Sequence, residues 1–169
     1  MIRKRLRGSH LDTRLIRDYV LSMPRNTGTG RYYEETVQRA IERSCQANRL
    51  TARSQQVVGT SPSGRRHKVD WELVSNIDEG LRGLVSCKFQ EQGGTAEEKV
   101  PYEVLKLLHA MDLDKRYRKA WIVLGGNGWT KGLKSFYELD LKNWIPAMRD
   151  RVIIIPDTDA LLSTNLTLT

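Results

Sequence analysis

An α/β protein with a mixed central β-sheet flanked by helices is predicted from three features of the 169-residue chain. Two runs near its middle alternate with the period of strands. Val69, Trp71 and Leu73 interleave with Lys68, Asp70 and Glu72, and Val85, Cys87 and Phe89 interleave with Ser86, Lys88 and Gln90. Earlier, Tyr33, Val37, Ile41 and Cys45 recur every four residues and mark a helical stripe. Finally, the early strands are joined by short turns and the later ones by helical segments, which mixes antiparallel with parallel pairing. The predicted order is helix, three strands, helix, strand, helix, strand.

Residues 1–30 read as a basic N-terminal segment with a short helix, and residues 31–169 as one domain. The basic residues Arg3, Lys4, Arg5 and Arg7 form either a phosphate-contacting arm or a solvated tail. Leu15, Ile16, Val20 and Leu21 supply the face of the short helix, and Thr27–Gly30 a loop. In the helix from Arg31 to Asn48, Glu34 falls on the edge of the apolar stripe. It is either a carboxylate with a partner or task, or a first-turn acid that favours the helix dipole.

The stretch TARSQQVVGTSPSGRRHKVDWELVSN reads as a hairpin whose basic turn carries Arg65, Arg66 and His67. That turn is solvated or touches a nucleic-acid backbone. His67 has no second histidine nearby and is not expected to bind metal. The strand RGLVSCKFQ follows, then the helix VPYEVLKLLHAM with Pro101 in its first turn. Ala120 to Leu124 form a buried strand ending in GGNGW. This glycine run lacks both the dinucleotide spacing and the phosphate-loop lysine, so it reads as a turn. KSFYELDLKNWIPAM reads as a helix and RVIII as the last strand. A short helix follows, capped by Asp157 or Thr158.

A formal charge of +8 makes a polyanion a plausible partner. Cys45 and Cys87, the two cysteines, occupy apolar-periodic positions without metal spacing and read as reduced core thiols. The basic N-terminus has no apolar run behind it, and no segment is apolar enough to cross a membrane; a cytoplasmic protein is expected.

If the two alternating strands pair with their apolar sets on one side, Asp70 and Glu72 share the other side with Ser86, Lys88 and Gln90. Carboxylates beside a lysine suit a divalent cation and attack of water on a phosphate. The plainer alternative is a cross-strand ion pair on a solvated face.

A helix with Glu34, a strand with Asp70 and a strand with Ser86-Cys87-Lys88, in that order between Arg31 and Ile155, resemble the PD-(D/E)XK nuclease superfamily. The resemblance implies a restriction-endonuclease-like αβββαβ core. One departure stands out: the family's acid two residues before the lysine is replaced by Ser86. A branch of type II restriction endonucleases also has Ser-x-Lys there and takes its carboxylate from the following helix. Glu103 lies near that place here, with Glu97, Glu98 and Glu72 as competitors.

The resemblance further implies Mg²⁺ held by Asp70, Glu103 and the main-chain carbonyl of Cys87. Lys88 would orient or help deprotonate the attacking water, Glu34 would support the site through a second metal or a water, and Gln90 would hold the phosphate or a ligand. The implied activity is that of a Mg²⁺-dependent endonuclease on double-stranded DNA, a site-specific type II enzyme working as a homodimer. The alternatives are a structure-specific nuclease of the same fold, for junctions or mobile elements, and a non-catalytic DNA-binding module, the latter suggested by Ser86.

Overall fold

A computed structural model describes residues 29–168. The predicted basic segment and its short helix therefore fall, except for their last two residues, outside the described residues. The first helix, α1 (Thr29–Asn48), is followed by β1 (Leu50–Thr60), β2 (Arg66–Ser75) and β3 (Arg82–Phe89). Then come α2 (Ala96–Leu113), β4 (Tyr117–Gly125), β5 (Val152–Ile155) and the short helix α3 (Thr158–Ser163). The five strands lie in the order β1-β2-β3-β4-β5. β1, β2 and β3 pair antiparallel, whereas β3 with β4 and β4 with β5 pair parallel. This is the predicted mixed sheet.

Each face of the sheet carries its own core. On one face α2 packs Val100, Val104, Leu107 and Met111 against Leu84, Ala120, Ile122, Leu124 and Ile154. On the other, Tyr33, Val37, Ile41 and Cys45 of α1 and Leu161 of α3 cover Leu73, Val85, Trp121, Val123 and Ile155. β4 contributes to both cores in alternation, which is why its sequence is a continuous apolar run.

Three local expectations need correction. α2 begins at Ala96, so Pro101 lies in its second turn. A proline there has no N–H for the carbonyl of Glu97 four residues back. The Tyr137 hydroxyl donates to that carbonyl instead, at 2.8 Å. The run expected as one helix from Lys134 to Met148 is divided into short α, π and 3-10 turns. Ile145, ahead of Pro146, has left the helical region with φ −122° and ψ 76°, as the proline ring requires of its neighbour. Thirdly, the alternation of β2 breaks within its length. Val69 belongs to the α2-side core and Trp71 and Leu73 to the α1-side core.

The glycine run is a turn, as expected, and it anchors the end of β3. Gly126, at φ 83°, lies so close to Gln90 that a Cβ there would meet its carbonyl oxygen at 2.1 Å. The capping residue of α3 is Asp157, whose carboxylate accepts from the Ala160 N–H at 2.7 Å.

Candidate active site

The break in β2 coincides with a split in the sheet. β2 pairs with β3 from Val74↔Arg82 only as far as Trp71↔Val85. Beyond that step β2 stays with β1, while β3 continues beside β4 to Phe89↔Gly125. At the split, Gln55 of β1 has φ 55° and drops out of the ladder opposite Asp70. A positive φ at a non-glycine residue bends the strand and redirects the side chains around it. Asp70 is thereby turned into the gap.

There the Asp70 carboxylate replaces the missing strand partner. The Cys87 N–H donates to Asp70 Oδ2 at 2.7 Å. The N–H and C=O of one strand residue face the same neighbour, so the Cys87 carbonyl faces the gap as well. It accepts from Lys88 Nζ at 3.3 Å. Lys88 Nζ also donates to Ser86 Oγ at 2.6 Å and lies 3.3 Å from Glu103 Oε2. Asp70, Cys87, Lys88 and Glu103 are thus linked from one side of the sheet to the other.

Glu103 projects from α2 and is 3% exposed. Its Oε2 also meets Lys106 Nζ at 2.6 Å, and its Oε1 lies 3.5 Å from His67 Nε2. Burial alone would push this carboxyl up. The imidazole hydrogen bond and the two ammonium groups outweigh that and hold it below the usual carboxylate range. On the opposite side, Glu34 and Gln38 of α1 line a cleft of about 440 Å³ with Asp70, Gln55 and Cys87. Burial, reinforced by the Asp70 charge, pushes the Cys87 thiol up to about 12. The thiol therefore stays protonated at neutral pH beside the Tyr33 hydroxyl, and the cysteine meets Asp70 and Lys88 through its main chain.

The other candidates are engaged elsewhere. Glu72 does not share a face with Asp70, because the β2 bend lies between them. Its carboxylate pairs with Arg82 at 2.9 Å and accepts from the Tyr117 hydroxyl at 3.1 Å. Glu72→Ala is expected to cost roughly 3 kcal/mol by leaving Arg82 unpaired. Urea unfolding would show that loss, and the folded fraction would keep its activity. Glu97 accepts from the Thr130 N–H and hydroxyl and from Gln90 Nε2, which joins the start of α2 to the loop after β4. Gln90 shares the Lys88 face as expected but holds no free polar group there. It donates to Glu97 and to the Gly128 carbonyl and accepts from the Ala96 N–H.

His67 is the residue that sequence reasoning misplaced. It is 1% exposed, against α2, rather than in a basic surface turn. The available signal was its phase: two residues before Val69, it belongs to the apolar alternation of that part of β2.

Among the described residues no three His, Cys, Asp or Glu residues group closely enough to form a metal site by themselves. The donors around the split are two carboxylates and a main-chain carbonyl, with Glu34 nearby. Hard oxygen donors in that small number fit a cation such as Mg²⁺, which keeps much of its shell as water and substrate oxygens. Residues 25–152 match a family model described as a PD-(D/E)XK nuclease superfamily domain. No curated protein and no solved structure matches the chain.

Proposed function

The chain belongs to the PD-(D/E)XK nuclease superfamily, and on that premise we propose that it is a Mg²⁺-dependent DNA endonuclease of the type II, site-specific kind. The observation that carries this reading is the Lys88–Glu103 contact at 3.3 Å, joined through Cys87 to Asp70 at the split in the sheet. It supports Glu103 as the carboxylate that takes over from Ser86. Glu72 and Glu97, each satisfied by other partners, are poorer choices.

In this reading Asp70, Glu103 and the Cys87 carbonyl hold the divalent cation. The cation supplies positive charge against the attacked phosphate and its developing negative oxygens. Lys88 orients the attacking water and adds a second positive charge to the pentavalent phosphate. Ser86, at 2.6 Å, holds the Lys88 ammonium. Glu34, across the cleft from Cys87, holds a further water or cation. Residues 31–169 act as one nuclease domain, and two copies related by a two-fold axis cut the two strands of a palindromic site.

Purified protein incubated with a linear plasmid, with Mg²⁺ and with EDTA, tests this beside a synthetic four-way junction. Discrete Mg²⁺-dependent fragments are the expected result. Cutting of the junction alone would identify a structure-specific nuclease. DNA binding without cutting of either substrate would mark Ser86 as the sign of a lost activity.

A further inference from the structure

The proposed chemistry gives His67 no task, yet its placement is specific. It is the second residue of β2, is packed to 1% exposure, and brings Nε2 to 3.5 Å from Glu103 Oε1. Its Nδ1 is buried and has no hydrogen-bond partner. A neutral imidazole has one N–H and one lone pair. Placing the hydrogen on Nε2 gives it Glu103 as acceptor and leaves only a lone pair unmatched at Nδ1. Placing it on Nδ1 would strand a donor and set the Nε2 lone pair against a carboxylate. The N–H therefore points at Glu103.

The two oxygens of Glu103 keep different company. Oε2 faces Lys106 and Lys88, whose side chains are 21% and 17% exposed. Both are long side chains that can follow a substrate phosphate. Oε1 faces the imidazole, which is short, ringed and enclosed. Fixing Oε1 fixes the rotation of the carboxylate and hence the direction of Oε2.

We propose that His67 is a positioning residue for the metal site: it holds Glu103 through Oε1 and so presents Oε2 beside Lys88. This rests on the reading of Glu103 as a ligand. Carboxylates that bind metals are themselves oriented by outer hydrogen bonds, and loss of such a partner typically weakens metal affinity by about 10- to 100-fold.

The test is a titration of the full chain with Mn²⁺ in the absence of DNA, followed by electron paramagnetic resonance of the free ion. His67→Gln places an N–H near the Nε2 position, His67→Asn is too short to do so, and His67→Leu removes it. Thermal melting confirms that each variant folds. The expected result is an affinity about tenfold weaker or more for the Asn and Leu variants, with the Gln variant close to the original. The Mg²⁺ concentration for half-maximal cleavage should move in parallel, while DNA affinity in EDTA stays unchanged.

Folded Asn and Leu variants that bind Mn²⁺ as the original chain does would overturn the proposal and leave His67 as a packing residue. If the Leu variant fails to fold, the Asn–Gln comparison decides alone. Glu103→Gln is measured beside them. Normal Mn²⁺ binding by that variant would overturn the ligand reading, and the His67 proposal with it. Weak binding by Glu103→Gln with normal binding by the His67 variants would overturn the His67 proposal only.

Discussion

Lys88→Ala is expected to lower the cleavage rate by about three orders of magnitude, the upper range for removing one preorganised positive donor from a charge-developing transition state. The fold should survive the change. Lys88 is half-buried, and the Glu103 carboxylate it leaves behind keeps Lys106 at 2.6 Å and His67 at 3.5 Å. Ser86 loses its 2.6 Å partner but retains its own hydroxyl hydrogen to donate elsewhere. Single-turnover cleavage at saturating Mg²⁺, with a melting curve on the same preparation, separates chemistry from folding. Cutting at the original rate by a folded Lys88→Ala protein would remove this lysine from the mechanism.

Asp70 is expected to give an effect as large, with a structural component that can be separated from the chemical one. Asp70→Asn keeps an oxygen that accepts from the Cys87 N–H, now bonded at 2.7 Å, but loses the negative charge a cation needs. It should remain as stable as the original chain and lose cleavage by about 10³-fold, comparable to removing any single charge-stabilising group. Asp70→Ala should lose cleavage equally and, in addition, about 1–3 kcal/mol of stability, because the Cys87 N–H is left without a partner. Urea unfolding of the two variants measures the difference. An Asn variant that cuts normally would show that Asp70 serves the fold alone.

The parts of the fold that could be read from the sequence are those where one period governs a whole element. The stripe of Tyr33, Val37, Ile41 and Cys45 and the alternation of Val85, Cys87 and Phe89 each place their residues on the face the structure shows. β2 was misread because its period changes within the strand. The change falls opposite Gln55, a residue of positive φ on the neighbouring strand, and nothing local to Asp70 or Glu72 encodes it. The separation of those two carboxylates, one at the split and one paired with Arg82, was hidden for the same reason. Gln90 was misread because its partners, Glu97, Ala96 and Gly128, come from two loops whose approach depends on the glycine turn after β4. Glu103 was approachable from the sequence through the resemblance, since its helix follows the strand of Lys88 directly.

At Cys87 the side chain lies among the residues packed against the α1-side core, with its thiol beside the Tyr33 hydroxyl, while the contacts to Asp70 and Lys88 are made by its N–H and C=O. The identity of this residue is therefore nearly invisible to the chemistry. Any residue that fits the packing and has an amide hydrogen would leave the wiring intact, so serine, alanine or valine should be tolerated here. Proline, which lacks the hydrogen, should not. A site wired partly through the main chain can change its letters without changing its geometry. That accounts physically for how short and degenerate a recognisable motif such as Ser86-Cys87-Lys88 is, and why the residues around it must carry so much of its meaning.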